Sequence, residues 1–580
     1  MKTPILLAAA AASVAVTCAQ QAGSVTPQFP SSHAARVEKI KAQLPEIEKV
    51  FERYHNQRRA PGSAWGIVVD GELVYAKGFG VRERQSNDPV TPTTAFRIAS
   101  MTKSFTAAAV LKLRDEGKLS LDDRVDKWIP EFKNYPYPTT DTTPLRVRQL
   151  LTHGAGFPED NPWGDRQMGE PLDSLSQWVK KGIPFSTPPD TAYEYSNYGF
   201  ALAGQIVAKA SGMPYRKYIE EKILAPLGMK SSSLEPSALP ANTRAVGYGL
   251  RDDAYFVIDS LPHGSFGAMG GLVTTTQDLA KWVAFMLSAF PPRDEADNGP
   301  VKRSSLREQQ RLWRIGNFAA EHIGTQIRAT SGGYGYGLGV SQDCRFGHIV
   351  GHGGGLPGFG SYMMWLPEYG VGMLAMTNLT YSGPAQALSE AFDILQRANA
   401  IEQRRLPPSP ILTSMRNSIA DLWQKWDNAA LARIAANNLE MDLPATKRGE
   451  EVQALKQRTG TCKAPGEVVP ENLLRGRFRM NCERSDVDVT FTLAPTNPPS
   501  IQYLNFNVAG HLSDAMKAYA SEVASKNSCR VGDNIGGDGS RDARVLLHCE
   551  AGQSALAILS IEGDKKSAFL RRAPGARCGP

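Results

Sequence analysis

Ser100-Met101-Thr102-Lys103 is the only Ser-x-x-Lys in the 580 residues of this chain, and it stands at a junction. The extended run Thr94-Ala95-Phe96-Arg97-Ile98-Ala99 gives way there to Phe105-Thr106-Ala107-Ala108-Ala109-Val110-Leu111, which predicts a helix over Thr102 to Glu116. A helix apolar on nearly every side has to be buried, so the rest of the fold must wrap around this one. Three residues apart on a helix, Ser100 and Lys103 share one face. A serine hydroxyl is a weak nucleophile until a base lies within hydrogen-bond reach, and a lysine leading into a buried helix loses part of its preference for the charged state. The unpaired N–H groups of the helix start would favour a developing oxyanion. A short pattern of this kind also arises by chance, and a serine at a helix start is often only a cap. The reading therefore depends on what accompanies it.

The chain opens with Lys2, an apolar run from Ile5 to Val16, and small residues at Thr17 and Ala19. That layout predicts a secretory leader cut after Ala19, and the run is short of the ~20 residues of a membrane span. Cys18 offers the alternative of a lipid-anchored cysteine, to which Thr17 before it is a poor fit. Residues 20–34, with Pro27 and Pro30, read as an unstructured linker. The net charge of +7 is spread along the chain, without a Lys/Arg tract interleaved with aromatics. Nucleic acid is excluded as an expected partner on that ground.

Arg36 to Tyr54 has apolar residues at helical spacing, and Asp70-Gly71 between two apolar runs predicts a hairpin. Near the other end, Gly347 to Val350, Gly360 to Leu366 and Gly370 to Thr377 read as three successive strands, and Gln386 to Ala398 as a closing helix. Together they predict an α/β domain over residues 35–400: one antiparallel sheet built from both ends of the segment, flanked by helices and by an all-helical middle region. The proline-rich stretch 401–410 marks a linker. Residues 411–580 read as a smaller α+β accessory domain, starting with helices over Met415 to Trp426 and Asn428 to Asn438. Arg477–Glu483 there echoes Arg544–Glu550, and in each copy a second cysteine lies 20 residues upstream. The matched spacing points to bridges Cys462–Cys482 and Cys529–Cys549, among the ~15 pairings open to six cysteines.

Two further motifs carry chemistry. Tyr195-Ser196-Asn197 runs straight into the apolar helix that starts at Ala201. A tyrosine beside a lysine cation can ionise and act as a base, and an asparagine can donate to a carbonyl. The second motif is Gly351-His352-Gly353-Gly354-Gly355, a glycine run between apolar strands, where glycines let another chain approach the backbone.

These motifs, with Phe96–Lys103, Val147–Gly154 and Gly270–Leu279 in the same order, resemble the serine β-lactamase and penicillin-binding protein superfamily. The nearest branch is that of class C β-lactamases, D,D-carboxypeptidases, D-aminopeptidases and related esterases. The resemblance covers roughly residues 35–400. It implies Ser100 as the acylated nucleophile, with Lys103 and Tyr195 sharing the base role. It implies Asn197 as a holder of the substrate amide, His352, Gly353, Gly354 and Gly355 as the binding strand, and the N–H groups of Ser100 and Gly355 as the oxyanion hole. His153 lies in a family motif too, with a structural role expected. The departure from the family is that its Lys-Thr-Gly has become His352-Gly353-Gly354. The fixed cation that would bind a substrate carboxylate is gone. A histidine of ordinary pKa, ~6.5, would gain charge only towards pH 6.

The expected function is an exported serine hydrolase working through an acyl-enzyme, needing no cofactor or metal, on a small-molecule or peptide substrate. A D-amino-acid peptide or a carboxylester fits best, with a class C-like β-lactamase as the alternative. A non-catalytic cell-wall peptide binder is the reading from another class, and three intact catalytic residue types argue against it. No Gly-x-Ser-x-Gly supports a Ser-His-Asp hydrolase, and no His-Glu-x-x-His supports a zinc enzyme.

Overall fold

The computed structural model describes residues 25–323, 326–343, 345–549 and 554–572. The leader, Cys18, Cys344 and Cys578 lie outside the described residues. The chain divides into two compact units. One holds Gln28–Arg405 with Leu512–Asn534 and the segment from Ser540 on; the other holds Leu406–His511 with Ile535–Gly539.

The first unit is built on a nine-stranded antiparallel sheet. Its strands are β1 (Gly62–Val69), β2 (Glu72–Glu83), β3 (Asp88–Pro89), β4 (Arg314–Ile323), β5 (Gln326–Tyr334), β6 (Gly339–Asp343), β7 (Gly347–Leu356), β8 (Phe359–Leu366) and β9 (Val371–Thr377). Their order across the sheet is β3-β2-β1-β9-β8-β7-β6-β5-β4. The two ends of the segment thus meet where β1 pairs with β9, Ser63 opposite Thr377 through Val69 opposite Val371. At the hairpin Asp70 and Gly71 both take positive φ, 49° and 95°, as a two-residue turn matched to strand twist requires.

Every residue of β1 is buried, because both sheet faces are covered. Trp65, Ile67 and Val69 point to one face, into a core shared with Ile47, Phe51, Leu388 and Phe392. Ala64 and Val68 point to the other, into the larger core that surrounds the helix Thr102–Asp115. The first face carries His33–Lys41, Leu44–Arg58 and the closing helix Ala385–Arg397. The amphipathic run expected as one helix over Arg36 to Tyr54 is therefore two. Pro45 in the first turn of the second helix has no N–H for a continuous ladder. The expected linker also differs from residue 28 on. Gln28 and Arg405 exchange backbone hydrogen bonds, and Ser32 caps the first helix.

The second unit contains the helices Pro410–Gln424, Asn428–Ile434, Asn437–Asp442 and Ala445–Thr459. They accompany a four-stranded sheet of Val469–Asn472, Arg475–Met480, Ser485–Leu493 and Ile501–Gly510. Strict alternation buries Val487, Val489, Phe491 and Leu493 against them. In the first unit, the helix Asp514–Lys526 is followed by a separate four-stranded sheet of Cys529–Asn534, Asp542–Cys549, Ser554–Glu562 and Lys565–Arg572. Residues 411–580 thus contain helices and two four-stranded sheets, as the α+β reading expected. Disulfides join Cys462 to Cys482, an isolated bridge beside the first of these sheets, and Cys529 to Cys549, which face each other across two strands of the other, as the spacing predicted. Among the described residues, no helix is long and apolar enough to cross a membrane.

Candidate active site

Ser100 lies in a single 3₁₀ turn, Ala99–Met101, that opens the buried helix. Ala99 just before it has φ 49°, a conformation costly for a residue with a Cβ and held only where surroundings over-determine it. Here the Ile98 N–H donates to Leu272 O at 3.0 Å, Ser361 Oγ donates to Ile98 O at 2.9 Å, and Thr102 Oγ1 donates to Ala99 O at 2.7 Å.

Lys103 Nζ lies 2.9 Å from Ser100 Oγ, 2.7 Å from Asn197 Oδ1 and 2.9 Å from Met269 O. Three acceptors match the three donors of an ammonium, yet the side chain is 0% exposed. Burial pulls its pKa down to about 7, against the opposing pull of Asp165 and Asp160. Near neutral pH the group is thus shared between ammonium and amine, and the amine offers its lone pair to the Ser100 hydroxyl.

Asn197 begins the helix Asn197–Ser211, with Ser196 as its cap. Asp160 accepts the N–H groups of Asn197 (2.7 Å) and Tyr198 (2.8 Å), a carboxylate at a helix start. Asn197 Nδ2 donates to Asn161 Oδ1 at 2.6 Å while its Oδ1 holds Lys103. The amide expected to face substrate is therefore engaged at both ends and wholly buried.

Tyr195 is half-buried, with its ring centroid 4.9 Å from Lys103 Nζ. Burial holds its phenol well above the usual value, against a smaller opposing effect of Ser100. This corrects the expectation of an ionised tyrosine: Tyr195 is a phenol in this state. His153 accepts the Ser196 N–H at Nδ1 (3.0 Å) and packs its ring 4.1 Å from that of Tyr195. Burial keeps it neutral, its pKa well below 6.5.

The glycine run is part of β7. A Cβ on Gly354 would stand 2.1 Å from Ile98 O, so only glycine lets the strand close on the nucleophile turn. A Cβ on Gly355 would meet the Tyr381 ring at 2.6 Å, and one on Gly353 the Tyr362 ring at 3.1 Å. His352 accepts from Tyr334 Oη at Nε2 (2.6 Å) and donates from Nδ1 to Gly353 O (2.5 Å). Burial first, then Lys103, lowers its pKa to about 3. The expected gain of charge towards pH 6 is thereby overturned: a His352 buried and hydrogen-bonded as a neutral ring does not titrate there.

Asp160, Asn161, Asp165, Tyr334 and Tyr381 were not legible as site residues. Tyr381 donates to Asp165 Oδ2 at 3.1 Å, and burial raises the Asp165 carboxyl. Asp160-Asn161-Pro162 reads in sequence only as a turn, and nothing local ties it to a helix start 37 residues on.

The family model described as Beta-lactamase matches residues 47–397. Protein flp of Staphylococcus aureus (strain N315) is 29% identical over 340 residues, 58% of this chain and 63% of that protein. This chain thus matches less than two thirds of that relative's length. Penicillin-binding protein 4* of Bacillus subtilis (strain 168) is 24% identical over 348 residues, 57% of this chain and 71% of that one. The structure of the octameric penicillin-binding protein homologue from Pyrococcus abyssi shares the fold, with a TM-score of 0.51 and 22% identity over 91% of this chain and 98% of that one. With the family model matching more than half of its length, the chain belongs to the β-lactamase family.

Proposed function

We propose that the protein is an exported serine hydrolase that forms an acyl-enzyme on Ser100 and cleaves a peptide, amide or ester bond, with D-amino-acid peptides or carboxylesters as the substrate class. The observation that carries this reading is the buried Lys103 amine 2.9 Å from Ser100 Oγ, with a pKa near 7. The neutral amine takes the Ser100 proton as Oγ attacks the carbonyl carbon. The oxyanion meets the N–H groups of Ser100 and Gly355. As the bond to the leaving group breaks, the Tyr195 phenol donates a proton to it and is resupplied by Lys103. Water then follows the same path in reverse and releases the acid. Asn197, Asp160 and Asn161 keep Lys103 aimed at Ser100. Two disulfides between facing residues support an oxidising compartment, and with it export.

The β-lactamase reading is second. It requires a cation for the substrate carboxylate, and the place of the family's lysine is held by a neutral His352. The decisive experiment offers the protein a fluorophosphonate probe, a short-chain nitrophenyl ester, a D-alanine anilide and nitrocefin. Labelling of Ser100 with turnover of the ester or anilide ahead of nitrocefin is expected. Faster nitrocefin turnover would move the β-lactamase reading ahead. No labelling and no turnover would leave a peptide binder.

A further inference from the structure

Arg97 ends the short strand Ala95–Arg97, three residues before Ser100, and is 5% exposed. Its Nη1 donates to Leu261 O at 2.8 Å and to Ser260 Oγ at 3.4 Å. Its Nε and Nη2 share one edge of the planar guanidinium, and both are buried with no hydrogen-bond partner among the described residues. Among those residues, no other side chain leaves two buried nitrogens unpaired. Glu235 acts on Arg97 only through space, and burial brings its pKa down to about 10, so it stays a cation at neutral pH. A buried cation with an unfilled fork is an unfavourable arrangement unless something pairs with it.

Arg97 lines a cavity of about 450 Å³ with Arg82, Glu83, Asn242, Arg244 and Ser260. Arg82 is engaged by Asp88, while Arg244 leaves a buried Nε unpaired. The rest of the wall is largely apolar, with Phe359 the largest side chain. Phe359 pairs with Leu356 at the end of the glycine strand, so the cavity backs onto the binding wall of the active site.

We propose that this cavity is a second binding site, one for an organic carboxylate. The Nε/Nη2 edge of a guanidinium matches the two oxygens of a carboxylate. Arg97 lines the cavity while those two nitrogens are buried, so on binding the guanidinium turns to meet the acid, with Arg244 as the second cation. The apolar remainder takes the hydrocarbon part. A volume of about 450 Å³ suits a small organic acid better than a bare inorganic anion. The site stands apart from Ser100 chemistry and does not depend on the proposed reaction.

The test is calorimetric titration with hexanoate, hexanamide and inorganic phosphate, on the untreated protein and on protein blocked at Ser100 by a fluorophosphonate. Saturable hexanoate binding that survives the block is expected. Hexanamide and phosphate should bind at least about tenfold more weakly, the scale of one charge-assisted hydrogen bond. Arg244→Gln should weaken hexanoate by about tenfold, and Arg97→Lys, which keeps the charge but loses the fork, by more. If Arg97→Lys does not fold, Arg244→Gln decides alone. No saturation by hexanoate, equal affinity for phosphate, loss of binding on blocking Ser100, or unchanged binding in folded Arg244→Gln would each overturn the proposal.

Discussion

The two walls of the cleft are built on opposite electrostatic plans. On the helical wall, Lys103, Asn197, Asp160 and Asn161 form a chain of hydrogen bonds between 2.6 and 2.9 Å, and one proton in it is poised to move. On the strand wall, Gly353, Gly354 and Gly355 present backbone, and His352 is locked neutral between Tyr334 and its own strand. Charge is therefore concentrated on the side that makes the nucleophile. The side that receives the substrate supplies shape and N–H groups. On the proposed reading, such a cleft would carry out acyl transfer without selecting acids through a fixed cation.

The largest effect that can break this contrast is Ser100→Ala, which should abolish covalent labelling while circular dichroism stays unchanged. Labelling that survives elsewhere would end the assignment. Gly354→Ala comes next. Its Cβ would meet Ile98 O at 2.1 Å, and acylation should fall by about a hundredfold or more, as displaced catalytic groups typically cause. A near-native rate would show that the strand does not set the position of the nucleophile turn. Lys103→Ala and Tyr195→Phe should each slow acylation by about a hundredfold. The double variant should lose little more than either alone, because both serve one proton path; multiplicative losses in stopped-flow acylation would separate their roles.

Effects of pH sharpen the contrast further. Lys103 has a pKa of about 7 in the folded protein against a usual 10.5, and as the base it works only when neutral. The ester kcat/KM should therefore rise with pH through about 7 to a plateau. The stability sign follows from the same pair of values. Between about 7 and 10.5 the unfolded chain holds the proton that the folded protein has released, so stability rises with pH across that window. Lys103→Met should accordingly raise the melting temperature at pH 7 while removing activity, and a lower melting temperature would contradict the cost of burying that charge. On the strand wall the expected pH effect is absent. Lowering pH from 8 to 6 should leave the nitrocefin-to-ester ratio unchanged, because His352 titrates near 3. His352→Lys should shift that ratio towards nitrocefin by about tenfold or more. The smallest effect is Asp165→Asn. It keeps an acceptor for Tyr381 but removes a charge that raises the Lys103 pKa, so the acid limb should move to lower pH.

What the sequence alone determined is what local chemistry encodes. Ser100 and Lys103 share a helix turn, Asp70-Gly71 forces a hairpin, apolar runs mark the two ends of one sheet, and equal cysteine spacings pick out two bridges. Each depends on residues close in the chain, or on a pattern that repeats. The tertiary structure decided the rest, because protonation and partnership depend on what packs around a group. Burial among other elements lowers the pKa of Lys103, keeps Tyr195 a phenol and holds His352 neutral. The clamp from Asp160 and Asn161 onto Asn197 joins residues that no local pattern connects. The glycine run has no local pattern that sets its conformation. It became a strand because Gly354 has to lie against Ile98 O, a contact made only when the two distant segments meet.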